Sequence, residues 1–410
     1  MAWCLWLALF VVIAAGICTG DIHSVAIHYA DAAIHWGEGQ PLYNHWGVGF
    51  LYLPQAAILH TPFAQLPRVP AEILWRGFTI GIFALGLDRL CRLSERGHSV
   101  SLFPIATCVS IPLSFSAARN GQATLLIAGL LMLAIGEVVS FRWNRSAGLL
   151  CLAVAFKPLA LPTALVIATV HRPLPWRIGL GLVIVALIPF LTQEWSYVVG
   201  EFRECGAAMR IAAEVGTREP WAQLVGLFDV AGFSIPSEYQ TQLRVLAGGA
   251  VLVACWMAQH RLPVHRFALI VFSLTTIYVL LFNPRTENNT YALIAPAIGI
   301  FCGEAFLVQR NRRLGALVVL IAVGIVGSHE FGRLIAPHTP PVWLAPLMTV
   351  CFAVVVCRQL CQETRSAARA ADTQFARGSG PAIRDSGHDR APHRRSRYNA
   401  GLPQASSRKD

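Results

Sequence analysis

Trp3-Cys4-Leu5-Trp6-Leu7-Ala8-Leu9-Phe10-Val11-Val12-Ile13-Ala14-Ala15-Gly16-Ile17-Cys18-Thr19-Gly20 runs without a single charge and then meets Asp21. An α-helix rises about 1.5 Å per residue, so roughly 20 apolar residues cross a hydrocarbon core of about 30 Å, and this stretch is of that length. It has no basic n-region and no Ala-x-Ala cleavage site, so it is expected to stay as an uncleaved first span. The same reading finds further spans near residues 72–90, 99–117, 122–140, 178–193, 243–259, 267–283, 291–308, 314–330 and 342–357.

Two other apolar stretches are interrupted. Residues 48–66 carry Pro54 and Pro62, with Pro67 just beyond, and residues 147–170 are broken by Lys157-Pro158 and Pro162. Irregular backbone at membrane depth is tolerated where protein or a watery cavity satisfies its polar groups. Both segments are therefore expected to line a cavity, the second as a broken hairpin. Counting its arms as two short helices predicts about 12 helices. The fold class is an all-α polytopic membrane protein, a bundle of about 10–12 transmembrane helices with short re-entrant or broken pieces.

Composition agrees. Hydrophobic residues make up 55% of the 410-residue chain and charged ones only 13%, with a mean hydropathy of +0.53; soluble domains carry roughly 25% charged residues. Short basic loops stay in the cytoplasm. Arg89, Arg92 and Arg96, then Arg142 and Arg145, Arg172 and Arg177, Arg261 and Arg266, and Arg310, Arg312 and Arg313 all fall in alternate links that share one side with the C-terminal tail. That distribution predicts a multi-pass protein of the cytoplasmic (inner) membrane with both termini inside. It also accounts for the net charge of +11 without nucleic-acid binding. The chain divides into a multi-span unit, 1–361, and a basic tail, 362–410, too poor in apolar residues to fold by itself and expected to be disordered. The cysteines sit mostly inside apolar runs and form no CxxC pair, which argues against a zinc site or a disulfide framework.

The other side holds the polar residues with chemical potential. Asp21 stands where the first span meets the headgroups, either as a solvated helix end or as a general base able to take a hydroxyl proton. Asp31 is the second carboxylate of that segment, with Tyr43 beyond it. Arg119-Asn120-Gly121-Gln122 joins two spans with a turn that glycine permits, and its Arg and Gln are able to bind phosphate or sugar hydroxyls. Arg285 and Glu287, in Asn283-Pro284-Arg285-Thr286-Glu287, either pair as a solvated turn or bind substrate. Lys157 is isolated in Leu149–Phe156 and Pro158, and the chain's other lysine is Lys409. An intramembrane cation costs about 2.5–3.5 kcal/mol on insertion scales and faces a cavity or partner by default. Snorkelling from a short hairpin and binding of a phosphate are the two readings of it.

At these residues the sequence resembles glycosyltransferase family 87, the polyprenyl-phosphate-mannose-dependent mannosyltransferase-like proteins of the GT-C superfamily. The resemblance rests on Asp21, Tyr29, Ala32-Ala33, Gly39-Gln40-Pro41-Leu42-Tyr43, Phe50-Leu51-Tyr52-Leu53-Pro54, Pro62-Phe63-Ala64-Gln65-Leu66-Pro67, Gly121-Gln122 and Lys157-Pro158, in family order over about residues 1–170. It implies a GT-C-like bundle with Asp21 as catalytic base. The implied donor is a polyprenyl-phosphate sugar, mannosyl or another hexosyl or a pentosyl, and the acceptor a glycolipid or glycan at the outer face. Lys157, Arg119, Gln122, Arg285, Asp31, Tyr43 and Glu287 are the candidates for holding phosphate or sugar. No metal and no cofactor are expected, and membrane lipids are the other partners. The competing reading is a transporter or lipid flippase, which would place ionisable groups near the midplane within related repeats; no repeat is visible here.

Overall fold

The computed structural model describes residues 1–20, 23–43, 49–96, 99–218, 221–338 and 340–378. Among these residues all regular structure is helical. In chain order the α-helices are α1 (Ala2–Cys18), α2 (Ala26–Glu38), α3 (Pro54–Ala64), α4 (Arg68–Ser94), α5 (Phe103–Arg119), α6 (Thr124–Val139), α7 (Trp143–Phe156), α8 (Leu161–Val170) and α9 (Pro175–Leu187). They continue with α10 (Trp195–Arg218), α11 (Leu224–Val230), α12 (Ser237–Arg261), α13 (Val264–Phe282), α14 (Ala295–Gly303), α15 (Arg312–Val326), α16 (Ser328–Ile335) and α17 (Leu344–Gly378).

The spans read from the sequence fall on helical segments, that at 314–330 divided between α15 and α16 and that at 291–308 between a 3-10 turn, α14 and a π segment. Four are long and apolar enough to cross a membrane unaided: α4, α12, α13 and the Leu344–Arg369 part of α17. A fifth crossing results if α15 and α16, bent by 86°, count as one. The other apolar helices are shorter, and in two of them the regular helix is interrupted. Pro189 turns the end of α9 into a 3-10 segment, and a π segment over Glu304–Val308 prolongs α14. The protein is an integral membrane protein.

The core lies where α4, α5, α6, α13 and α14 meet. α6 and α13 are buried on nearly every side, whereas α12 presents Val245, Leu246, Val253 and Trp256 outward as a lipid-facing helix does. Lipid tails are as apolar as leucine, so helices associate in a membrane through close packing at small residues. α4 and α6 cross at Gly86 and Gly129, where a Cβ on Gly129 would stand 2.6 Å from the Ile82 carbonyl oxygen. α1 docks on this core through Trp6, Leu9, Ile13 and Ile17, and the Trp6 indole N–H donates to Thr107 at 3.2 Å.

The hairpin expected over 147–170 is present. α7 and α8 are separated by Lys157, in extended conformation, and a 3-10 turn at Pro158–Ala160. Their open ends come together, with the Trp143 and His171 rings 5.7 Å apart, so Lys157 is the apex. The arginine-bearing links gather at the open end. Arg177 donates to Asn144 at 2.8 Å, Arg89 to Ser140 at 2.7 Å, and Arg266 bonds Glu363 and Glu304. The apex points away from this basic end.

Residues 194–242 hold α10, an amphipathic helix, and the short α11. One expectation changes. Residues 362–378, expected to be disordered, continue α17 as helix. Gln362-Glu363-Thr364-Arg365-Ser366-Ala367-Ala368-Arg369 is rich in helix formers, and prolonging an existing helix avoids the cost of nucleation. The chain resolves into two compact units, Met1–Ala367 and Ala368–Asp410; in the second, the described residues are the end of α17.

Candidate active site

A cavity of about 310 Å³ opens at the end opposite the arginines, lined by Lys157, Gln122, Arg285 and Glu287 together with Tyr29 and Tyr52. Four of the residues singled out in the sequence thus meet, although up to 165 positions separate those that touch. Lys157 is half-buried, and its Nζ lies 5.2 Å from the centre of the Tyr52 ring. That contact offsets part of the cost of placing a cation there, by about 0.5–2 kcal/mol. No residue of α7 before Lys157 is charged after Arg145, so the cation is delivered by the break in the helix alone.

Gln122 donates to Glu287 at 3.2 Å and accepts from Thr124 at 3.3 Å, so its amide orientation is set from both ends. Arg285 stands 3.9 Å from Glu287 and 4.7 Å from the Trp221 ring centre. Among the described lining residues two cations therefore face one carboxylate. The Arg285 link is anchored to the segment before α11: Ala222 N–H donates to Thr286 O at 3.1 Å and Tyr291 donates to Ala222 O at 2.8 Å.

The floor is aromatic. The Tyr29 and Tyr52 hydroxyls share a hydrogen bond of 2.7 Å, and Tyr29 also packs edge-on against Trp75 and His60. Tyr52 is positioned by the motif around it: Pro54 opens α3 in its first turn, and buried Phe50 lies against both Tyr43 and Tyr52. Tyr43 is buried outside the cavity and donates to the Tyr52 carbonyl at 2.6 Å, which makes it a support for Tyr52. α10 closes one side with Met209, Ala212 and Ala213. It is held by Tyr197, which donates to Gln40 O at 2.7 Å, and by Glu201, which accepts from Leu42 N–H at 3.0 Å. Burial raises the Glu201 carboxyl pKa from its ordinary value.

Besides Tyr43, two sequence candidates are elsewhere. Asp31 is exposed and faces a separate cavity of about 220 Å³ beside His60, Arg68 and Glu72. Arg119 is not among the lining residues of the Lys157 cavity; the turn uses its carbonyl, which accepts from Arg76 at 2.8 and 3.0 Å. Asp21 lies outside the described residues.

Sequence reasoning missed Glu72 and Arg76, an ion pair one helical turn apart and almost wholly buried. Arg76 also donates to His23 O at 3.2 Å, Ser24 donates to Glu72 at 2.8 Å, and the Trp75 indole N–H donates to Gly121 O at 2.7 Å. α4 thereby fastens the chain before α2 and the 119–122 turn at once. Gly121 has φ +64°, and a Cβ there would lie 3.2 Å from the Arg76 guanidinium, so both backbone shape and space call for glycine. The signal was an Asp/Glu-to-Arg spacing of four inside an apolar run. Removing one partner of such a pair costs about 3–5 kcal/mol because a charge is left uncompensated. Arg76→Met is expected to lower the unfolding free energy in detergent by that amount, with Glu72→Gln in the same chain restoring part of it. An unchanged thermal midpoint for the single variant would contradict the reading.

These residues come from stretches that correspond to a known family: residues 50–284, more than half of the chain, match glycosyltransferase family 87. The chain belongs to glycosyltransferase family 87. Tyr52, Gln122, Lys157 and the Pro284 edge of the cavity all fall within the matched region, which runs past residue 170 but begins after Asp21, Tyr29 and the Gly39–Tyr43 stretch. Arg285 and Glu287 lie just outside it. No curated protein sequence matches the chain. Among solved structures it is similar to ArnT from Cupriavidus metallidurans bound to undecaprenyl phosphate, at 17% identity, TM-score 0.44, over 89% of this chain and 74% of that one. The apo state of the same enzyme matches at 16% identity and TM-score 0.38, over 89% and 78%. As a family 87 member the chain is a membrane glycosyltransferase.

Proposed function

We propose that the chain transfers a hexosyl group, mannosyl in the first instance, or a pentosyl group from a polyprenyl-phosphate sugar to a lipid-linked or polysaccharide acceptor at the outer face of the cytoplasmic membrane. The observation that carries this reading is the delivery of Lys157 by a broken hairpin into a cavity that also holds Arg285 and Gln122. A sugar leaving a lipid phosphate builds negative charge on that phosphate, and preorganised cations in a dry site stabilise such charge best. Lys157 and Arg285 supply the cations, and Gln122 and Glu287 supply hydrogen-bonding groups for sugar hydroxyls. The donor's apolar chain gives a reason for building the catalyst from membrane helices.

In the proposed reaction Asp21 takes the proton of an acceptor hydroxyl. The oxygen attacks the anomeric carbon from the face opposite the phosphate, the bond between that carbon and the phosphate oxygen breaks, and the lipid phosphate leaves with the electron pair. The product is inverted at the anomeric carbon, and the proton returns from Asp21 to water. The arginine-rich end faces the cytoplasm in this orientation, in keeping with the distribution of short basic loops.

Membranes containing the protein, incubated with radiolabelled polyprenyl-phosphate mannose, are expected to pass label into a new glycolipid or glycan. Movement of labelled lipid across proteoliposomes with no glycosylated product would favour a flippase instead.

A further inference from the structure

A second cavity, of about 420 Å³, opens at the arginine-rich end between the end of α4, the start of α13, the π segment after α14, and α17. It shares no lining residue with the Lys157 cavity. Its charged groups are unusually sorted. Both carboxylates that face it, Glu304 and Glu363, are engaged by Arg266, at 2.5 and 2.8 Å, and Arg266 also bonds Gln359 at 3.0 Å. Two further arginines, Arg96 and Arg261, line the same cavity and form no ion pair or side-chain hydrogen bond among the described residues. They come from links 165 positions apart in the chain, so only the fold brings them to one opening.

The remaining walls carry the neutral donors Gln309 and Gln362 and the apolar side chains of Leu262 and Val308. Unpaired arginines backed by amide donors form forked sites for phosphate oxygens. An apolar flank beside them, at the end of the bundle where the arginine-bearing links collect, suits a phosphate that arrives attached to acyl chains. The π segment adds a second, independent mark, since such departures from regular helix gather at binding and functional sites.

We propose that this cavity binds the phosphodiester headgroup of an anionic phospholipid, with Arg96 and Arg261 on the phosphate and Arg266 holding Glu304 and Glu363 out of its way. The bound lipid joins α4, the α12–α13 link and α17, and so stabilises the basic end of the bundle. Free phosphate offers the same oxygens without the chains, and the two sources separate experimentally.

The full-length protein would be placed in nanodiscs of phosphatidylcholine alone or with one third phosphatidylglycerol. Retained lipid would be read by native mass spectrometry and the thermal midpoint measured in each. Phosphatidylglycerol is expected to be retained in preference and to raise the midpoint. Its affinity should fall about fivefold in R96A or R261A and about 30-fold in the double variant, since a basic residue at an anionic membrane surface contributes about one such factor. R177A, which removes a basic-end arginine outside the cavity, is expected to leave the preference intact. Equal retention of the two lipids by the unaltered protein would overturn the proposal, whether or not the double variant folds. So would loss of preference in R177A as large as in R96A. Stabilisation by inorganic phosphate in detergent that equals that by phosphatidylglycerol would show a phosphate site with no role for the lipid.

Discussion

Lys157→Gln is expected to lower sugar transfer by about 10²–10³-fold while leaving the protein folded, because a glutamine keeps a polar side chain at the apex, one atom shorter, but removes the charge. Lys157 sits in extended backbone between α7 and α8, where no helical hydrogen bond depends on its side chain, and its Nζ rests over Tyr52 at 5.2 Å. Stability should therefore change little, and losing an intramembrane cation even removes an insertion cost. If the lysine stabilises the departing phosphate, the fall appears mainly in kcat, with a smaller change in KM for the lipid donor. Lys157→Arg keeps the charge but spreads it over a planar fork, and should recover part of the activity. Measuring transfer from labelled polyprenyl-phosphate mannose across these variants decides the matter: an active Lys157→Gln enzyme would remove Lys157 from the phosphate site.

The second large effect is expected from Asp21→Asn, a loss of about 10²–10⁴-fold in transfer with donor binding retained. An asparagine is nearly isosteric but cannot accept the acceptor's proton, so the chemical step fails while the cavity around Tyr52, Lys157 and the Arg285 link stands. The pairing of the two variants is informative. Asp21→Asn should leave donor affinity near that of the unaltered protein, whereas Lys157→Gln weakens it. Equal weakening in both would mean that Asp21 holds the architecture of the outer segment instead of moving a proton.

Much of the architecture was legible because membrane insertion imposes strong local rules. A span must be apolar over its own length, and a proline-interrupted stretch with a lone lysine, Leu149–Pro162, announces its break without knowledge of its neighbours. The two ends of the bundle were legible for the same reason, since arginines at 89–96, 142–145, 172–177 and 261–266 mark their own side. Helix lengths were less so. Pro189 and the π segment from Glu304 end the regular α-helix of α9 and α14 through backbone geometry that hydropathy does not register, and the helical residues 362–378 follow from propensity and continuation where apolar content pointed to disorder.

The site was legible in part. Lys157, Gln122, Arg285 and Glu287 stood out as polar residues in apolar or turn surroundings, and the fold gathers them. Arg119 and Asp31 stood out by the same signal, yet one contributes its carbonyl to Arg76 and the other faces a different cavity. A sequence records that a residue is polar and near a membrane face; it does not record the rotation of its helix about its axis. Tyr29 and Tyr52 were visible only as pieces of family motifs, and the buried Glu72–Arg76 pair was hidden by the converse effect. Aromatic and paired charged side chains in a span read as packing until their partners are known.

By itself the sequence determined an all-helical membrane protein, the two polar ends, the broken hairpin and, through its short ordered motifs, the glycosyltransferase family. These rest on hydropathy, on charge asymmetry and on backbone rules at proline and glycine, all of which act within a few residues. Only the tertiary structure decided that the hairpin's apex meets the 122 turn and the 285 link in one cavity, that α4 pins that turn with a buried ion pair, and that Arg96 and Arg261 share an opening at the other end. Those juxtapositions depend on how helices cross at positions such as Gly86 and Gly129, and a crossing is settled by two surfaces packing together, which neither helix carries alone.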